Sequence, residues 1–384
     1  SNRDKYWAAV AGKKASTIQF ILKPNKDITA TARQIVAGAS NDDEMLRRLY
    51  DYCQREIKNT YYDPKITAEE RKKMPQVKAV ADILKRKSAP LPGYIDWLFA
   101  SLAGSLGMEV RLTFTGNRSE NFFEPNMTNE RLLHLSAIAV RSGAGYKFFN
   151  PGDPFVPYGM MPWHDEDSWA LLVGPNNFLW SETSNSNPAA NMYKRSADLK
   201  LKDDGTLEGD VTIEMTGQPA ITYRQSNYDE AADKLSESLK ESVKARFSTS
   251  EVTNLSVENV LDTTKPLIHR YRITIPGYAQ KTGKRLFLQP GFFEYSPTPI
   301  FSSSSRKYSV FFPYGWSEAD DVKITLPSGF QLDNADTPAP LNDPRSISSL
   351  KINIKHDTAT NTILYKRDFY FGNDGRLLFP VDSY

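Results

Sequence analysis

Apolar residues recur with a helical period in the first third of this chain and with a strand period after it. Asn41 followed three residues later by Glu44 is a capping signature, and Leu46, Leu49, Tyr50, Cys53 and Ile57 then return at helical spacing. This predicts a helix with Cys53 turned toward a core. A second helix is predicted near residues 76–87, with Val77, Val80, Ile83 and Leu84 on one side. A third follows at once, its stripe made of Ile95, Leu98, Phe99, Leu102 and Leu106, and Gly107 is placed to serve as its left-handed C-terminal cap. The period then changes to two. Val110, Leu112 and Phe114 alternate with polar residues, and residues 137–140 and 146–149 read as buried strands.

Residues 185–195 are rich in Asn, Ser, Pro and Ala, a linker composition that marks a domain boundary. Beyond it Ala197, Leu199 and Leu201 alternate, Asp204-Gly205 supplies a turn, and Val211, Ile213 and Met215 alternate again, which predicts a β-hairpin. One amphipathic helix is expected through Ala231, Ala232, Leu235, Leu239, Val243 and Phe247. Strand patterns resume at Leu267 to Ile275, Val322 to Leu326, Leu350 to Ile354 and Ile363 to Tyr365. The expected class is α+β, with an α-then-β domain over residues 36–195 and a mainly antiparallel β-sandwich-like domain with one helix over 196–384. Residues 1–35, with Tyr6-Trp7 and Phe20-Ile21-Leu22 as their main apolar groups, are expected to be a lead-in from a preceding domain.

At 384 residues the chain is long enough for two or three cores. Its 48 basic and 46 acidic residues leave a net charge of +2, which gives no footprint for nucleic acid or for an anionic membrane. No run reaches the roughly 18–20 apolar residues of a membrane span. The chain starts at Ser1-Asn2 and ends at Asp382-Ser383-Tyr384, and both ends are expected to be trimmed from something longer. Cys53 is the only cysteine, so no internal disulfide and no cysteine-based metal cluster can form. No phosphate-binding glycine loop, Ser-His-Asp signature or dinucleotide motif is present, and neither a cofactor nor a metal is expected.

Two stretches carry a family resemblance. Residues 79–86, a loop, Gly93-Tyr94-Ile95-Asp96-Trp97-Leu98-Phe99 and then Leu106-Gly107-Met108-Glu109-Val110 resemble the transglutaminase core of the papain-like superfamily. The run Phe148-Phe149-Asn150-Pro151-Gly152-Asp153-Pro154 is similar to that family's aromatic-aromatic-Leu-Asp-Pro-x-Asp-Pro segment. In such sites a cysteine stands at a helix N-terminus, where the helix dipole lowers its pKa, and a histidine and an Asp or Asn come from adjacent strands. The resemblance places the cysteine at Pro92 or Gly93, neither of which can attack a carbonyl. It places the histidine at Ser136, directly before the strand 137–140, and the residue that orients it at Asn150, which could still do so by hydrogen bonding. His134 lies two residues before Ser136, shares its face of a regular strand, and so either looks into the cleft from about 6–7 Å along the strand or stands at a strand end without a chemical role. The order of later segments, from Ala197-Asp198-Leu199 through Pro276-Gly277-Tyr278 and Phe312-Pro313-Tyr314 to Leu378-Phe379-Pro380, resembles the C-terminal half of large bacterial transglutaminase-like proteins. That likeness implies export and a cell-envelope location.

Other candidates read as structural. Cys53 lies mid-helix on an apolar stripe, away from any helix N-terminus. Ser88 is a loop serine with no adjacent base. His164-Asp165-Glu166-Asp167 groups possible ligands, but consecutive side chains do not converge and the run reads as a solvated loop. His269, between Leu267 and Tyr271, reads as a satisfied packing histidine. The aromatics at 122–123, 158–163 and 311–314 could line a peptide or sugar groove, or be core. The expected function is therefore a non-catalytic transglutaminase-like protein that binds or scaffolds polypeptide. The alternatives are a transglutaminase- or peptidase-type enzyme with a non-cysteine nucleophile, and a glycan-binding or adhesion module.

Overall fold

The computed structural model describes residues 2–295 and 307–381, so the chain's last three residues lie outside them. The protein is a mixed α and β chain with several sheets, and it divides into two compact units, Ser1–Asn185 and Ser186–Tyr384.

Unit 1 begins with three helices: α1 (Asn2–Ile21), α2 (Lys26–Ile35) and α3 (Asp42–Glu56). Residues 2–35 are thus two helices, and Trp7, Ile18, Ile21 and Ile28 are buried in the unit's core. At α3 the Asn41 side chain accepts the Glu44 N–H, while the Glu44 carboxylate reaches back to the Ser40 N–H rather than to Asn41 itself. Next come β1 (Lys58–Asn59), α4 (Ala68–Lys72), α5 (Val80–Arg86), β2 (Ser88–Ala89), which pairs in parallel with β1, and α6 (Pro92–Ser105). Ser88 therefore belongs to a short strand. Pro92 opens α6, where its missing N–H is no loss, and Gly107 with φ 86° ends the turn that follows. Ile95, Leu98, Phe99, Ala100, Ser101, Leu102 and Ala103 are all buried, so α6 is enclosed on every side.

The strands β3 (Val110–Thr115), β4 (His134–Ser142), β5 (Gly145–Phe149), β6 (Trp169–Val173) and β7 (Phe178–Glu182) form one antiparallel sheet in the order β5-β4-β3-β6-β7. All six residues of β3 are buried. Val110, Leu112 and Phe114 pack with α6, whereas Ala137, Ala139, Phe148, Met161, Ala170 and Leu172 form a second cluster on the opposite face. The alternation expected for β3 is therefore one of two covered faces, with Arg111, Thr113 and Thr115 buried on the second.

In unit 2, β8 (Met192–Leu201) and β9 (Leu207–Met215) are the predicted hairpin, turning at Gly205 with φ 88°. Because β8 already starts at Met192, the linker composition extends into a strand. Two helices follow, α7 (Gln218–Asn227) and α8 (Ala232–Arg246), where one was expected. Next come β10 (Glu251–Glu258), β11 (Leu267–Ile275), the small hairpin β12 (Gln280–Thr282) and β13 (Arg285–Phe287), β14 (Val310–Phe311), β15 (Trp316–Thr325), β16 (Leu341–Asn342), β17 (Ser348–Asp357), β18 (Thr362–Phe371) and β19 (Leu378–Phe379). Instead of a two-sheet sandwich, the described residues of unit 2 form, besides the separate two-stranded pairs β12-β13 and β14-β19, one eight-stranded sheet in the order β10-β11-β9-β8-β15-β18-β17-β16. It is antiparallel except where β8 meets β15. One face packs against α8 and residues 278–293; the other carries Lys194, Asp198, Asp321, Lys323, Lys366 and Asp368.

Toward one end of the packed face the apolar rows give way to charge. Arg195 on β8 bonds Asp320 on β15 at 2.7 Å and also reaches Glu318 and Glu294, while Arg367 on β18 bonds Glu318 at 2.6 Å. The Asp320 side chain has no exposed surface. Without Asp320 the part-buried Arg195 Nε loses its carboxylate partner, so Asp320→Ala should destabilise unit 2 by about 3–5 kcal/mol, read as an earlier urea midpoint. Phe99→Ala, which opens a cavity against α6, should lower unit 1 by a similar amount, about 3–5 kcal/mol, while leaving the transition of unit 2 in place.

Candidate functional site

α6 and β3 run antiparallel, so the N-terminus of α6, the end of β3, the start of β4 and the end of β5 lie at one end of unit 1. There the tip of α6 carries Leu91, Pro92 and Gly93 and no side-chain cap. A Cβ at Gly93 would meet nothing within 4 Å, so this position opens outward.

The loop after β5 is fastened over the tip. Gly152 donates its N–H to Asp96 Oδ1 at 2.8 Å, and Asn59 Nδ2 donates to the Gly152 carbonyl at 2.8 Å. Any side chain at Gly152 would collide with the Pro92 carbonyl. Tyr50 donates to the carbonyls of Asn150 and Val156, and Gln54 to those of Asp153 and Val156. Pro92 and the loop that begins at Asn150 are therefore together. Asp96, with its carboxyl turned inward onto Gly152, is pushed from 3.8 up to about 7, chiefly by burial, opposed by the Gly152 N–H and reinforced by the charge of Asp153.

His134 belongs to a different cluster. Thr115 pairs with His134, and paired residues point to the same face; that face is the one away from α6. The ladder slips between Thr113 and Phe114, so Ser136 is the extra residue of a bulge, is buried, and donates its hydroxyl to the Thr113 carbonyl at 3.2 Å. A regular strand would have kept His134 and Ser136 in one alternation; the bulge breaks it. His134 Nε2 donates to Asp165 Oδ1 at 2.9 Å, and Thr115 Oγ1 donates to the same oxygen at 3.1 Å. His164 Nε2 stands 3.5 Å from the other carboxylate oxygen. The bond to Asp165 raises the pKa of His134 against the opposing effect of burial, and the Thr115 carbonyl adds to it. A ring faced by acceptors favours the imidazolium, which is a poor base.

The run 164–167 is consequently not a solvated loop. Asp165 and Glu166 are 3% and 2% exposed. The backbone there is held by Arg118, which donates to the Trp163 carbonyl at 2.6 Å, and by the Thr183 hydroxyl on the Asp165 carbonyl at 2.7 Å. Among the described residues, no three His, Cys, Asp or Glu side chains are arranged to hold a metal ion. Asp165 as the partner of His134 was not foreseen; the signal for it is thin, two threonines and an arginine distant in sequence. His269 is a packing histidine against Tyr223, but its Nε2 has no hydrogen-bond partner among the described residues, and burial lowers its pKa to about 4.

Cys53 is fully buried, and burial pushes its thiol well up, with Asp96 adding to the effect. Native protein should therefore resist iodoacetamide, whereas Gly93→Cys, at an open helix N-terminus, should be alkylated at least about tenfold faster than a cysteine of ordinary pKa at pH 7; mass spectrometry of timed samples reads both. For Asp96 the sign follows from its raised pKa: the folded state holds the proton that the unfolded state loses, so stability falls as pH rises from about 4 to about 7. Asp96→Asn should remove that slope and be more stable than wild type at pH 8, by on the order of 2–4 kcal/mol, with little difference at pH 4, as measured by urea midpoints.

Comparison with known proteins gives three findings. Residues 284–373 match the family model DUF3858, described as a domain of unknown function with a solved structure. No curated protein matches the chain. A crystal structure from Parabacteroides distasonis ATCC 8503, provisionally described as a protease, is similar to this chain at 10% identity and a TM-score of 0.48; the match covers 97% of this chain and 54% of that one, so this chain spans about half its length.

Proposed function

We propose that unit 1 is a transglutaminase-like unit that binds polypeptide without carrying out thiol chemistry, and that the protein is exported and works at the cell envelope, as the resemblance of its motifs implies. The observation that carries the binding reading is a rim of exposed apolar side chains on the α6 side of the sheet. Leu91 at the tip of α6 is 49% exposed, Leu135 on β4 38% and Trp169 on β6 37%. Leu135 pairs with Phe114, and Trp169 precedes the residue that pairs with Thr115, so both flank the end of β3 on the face that packs with α6. Large apolar groups left in water at the end of β3 suit the side chains of an extended polypeptide.

The non-catalytic reading is supported by three things: Pro92 and Gly93 at the helix tip, the buried thiol of Cys53, and a histidine held in ion-pair geometry on the other face of the sheet. The His134–Asp165 pair keeps a second reading in view, an acyl-transfer or peptidase-type enzyme with a non-cysteine nucleophile.

Incubation with glutamine-rich and lysine-rich peptides separates the two. Binding should be seen by fluorescence anisotropy, with Trp169→Ala weakening it by about tenfold, the cost of one exposed aromatic anchor, and no ammonia or cleavage product should form. Turnover that His134→Ala abolishes would establish the enzyme instead, and affinity unchanged by both Trp169→Ala and Leu135→Glu would remove the rim from the account.

A further inference from the structure

At one end of the unit 2 sheet lies a cleft of about 410 Å³, within the size range of ligand pockets. Its floor is apolar and buried: Leu201 at the end of β8, Leu326 just past β15, and Ile363 on β18. Its two walls are runs of consecutive residues, 284–288 on one side and 330–335 on the other. Side chains of an extended segment alternate between two faces, so consecutive residues can border a single cavity only when the backbone edge itself faces it.

Neither edge is filled by its neighbour. Among the described residues β13 pairs only with β12, through Gln280 with Phe287, Lys281 with Leu286 and Thr282 with Arg285. Residues 331–335 belong to no strand, and among the described residues no backbone hydrogen bond joins them to 284–288. A strand edge lined by apolar surface presents unpaired N–H and C=O groups to whatever enters, the arrangement used in recognition by strand addition. Phe287, 56% exposed, stands on the edge strand, and Leu286, Leu288 and Leu332 line the interior.

Charge narrows the occupant further. Arg285 lies 4.0 Å from Asp333, both well exposed, while Lys284 makes no ion pair among the described residues. The lip thus holds one positive charge in excess.

We propose that this cleft binds an extended polypeptide segment by strand addition to β13, with apolar side chains at alternate positions entering the cleft and an acidic residue at the lip beside Lys284. All of the named lining except Leu201 falls within the segment matched to the family of unknown function, so the proposal gives that segment a task. It stands independently of the reading of unit 1.

The test uses the full chain and an acetylated, fluorescein-labelled octapeptide alternating leucine or valine with serine or glutamate. Saturable anisotropy is expected, with slowed amide exchange at 284–288 on peptide addition. N-methylation of alternate peptide amides should weaken binding at least about tenfold, the loss of two hydrogen bonds at roughly 1 kcal/mol each; because this change is on the peptide, it does not depend on a variant folding. Leu332→Glu, checked by its melting curve, should weaken binding comparably, and glutamate-to-lysine changes in the peptide should weaken it in low salt. No binding up to 1 mM peptide would overturn the proposal, as would affinity indifferent to N-methylation, displacement by decanoate with N-methylated peptide still bound, or amides at 284–288 already slow in the chain alone.

Discussion

A helix that is apolar on every side has to be enclosed, and in unit 1 everything else is arranged around that requirement. α6 cannot lie on a surface, so α2, α3 and α5 close on it from one side while β3 and β4 close from the other. Enclosure leaves only the ends of the helix for contact with solvent. The N-terminal end, at Leu91, Pro92 and Gly93, is thereby a fixed and partly open point in the fold, and the loop at Gly152 can be fastened to it only because no Cβ intervenes. The same enclosure makes β3 a two-faced strand, and this division separates the helix tip from His134.

α1, α2 and α4 were not read as helices, but α3, α5 and α6 were legible in the sequence because their cause is local: the spacing of Leu46, Leu49 and Cys53, or of Ile95, Leu98 and Leu102, is a property of a few turns. The same holds for the Asp204-Gly205 hairpin. What was not legible depends on contacts distant in sequence. The bulge at Ser136 has no signature in its own neighbours, yet it decides which face His134 occupies. The acidic run 164–167 has the composition of a solvated loop, and only Thr115, Arg118 and Thr183 explain why Asp165 is buried. The apolar alternation of the second half reads equally as a sandwich or as one wide sheet, since period two reports that a face is covered and not by what. α7, only 10 residues long and carrying buried Gln218 and Arg224, has too weak an apolar stripe to announce itself.

The candidate site was legible in part. Pro92 lies against Gly152 in the loop that begins at Asn150, while His134 is drawn to Asp165 on the other side of the sheet. In the second unit, a five-member charge cluster sits on the packed face of the sheet, where Arg195, Asp320 and Arg367 stand side by side on β8, β15 and β18. Ion pairs of this kind add little net stability over apolar packing, but they tolerate few alternative registers, since a slip of one residue would turn every charge to the opposite face.

The one parallel contact in that sheet also bears on where a unit begins. β15 lies inside the segment matched to the family of unknown function, but along nine residues its other edge is hydrogen-bonded to β8, which lies well before it in the chain. A border drawn by likeness in sequence therefore runs through the middle of a hydrogen-bonded ladder. Cut at 284, the chain would lose β8, β9, β10 and β11 from the sheet and bare the row that includes Val322 and Ile324 at an open edge. The compact piece that holds the complete sheet is unit 2, and likeness in sequence and compactness in space are here different partitions of the same residues.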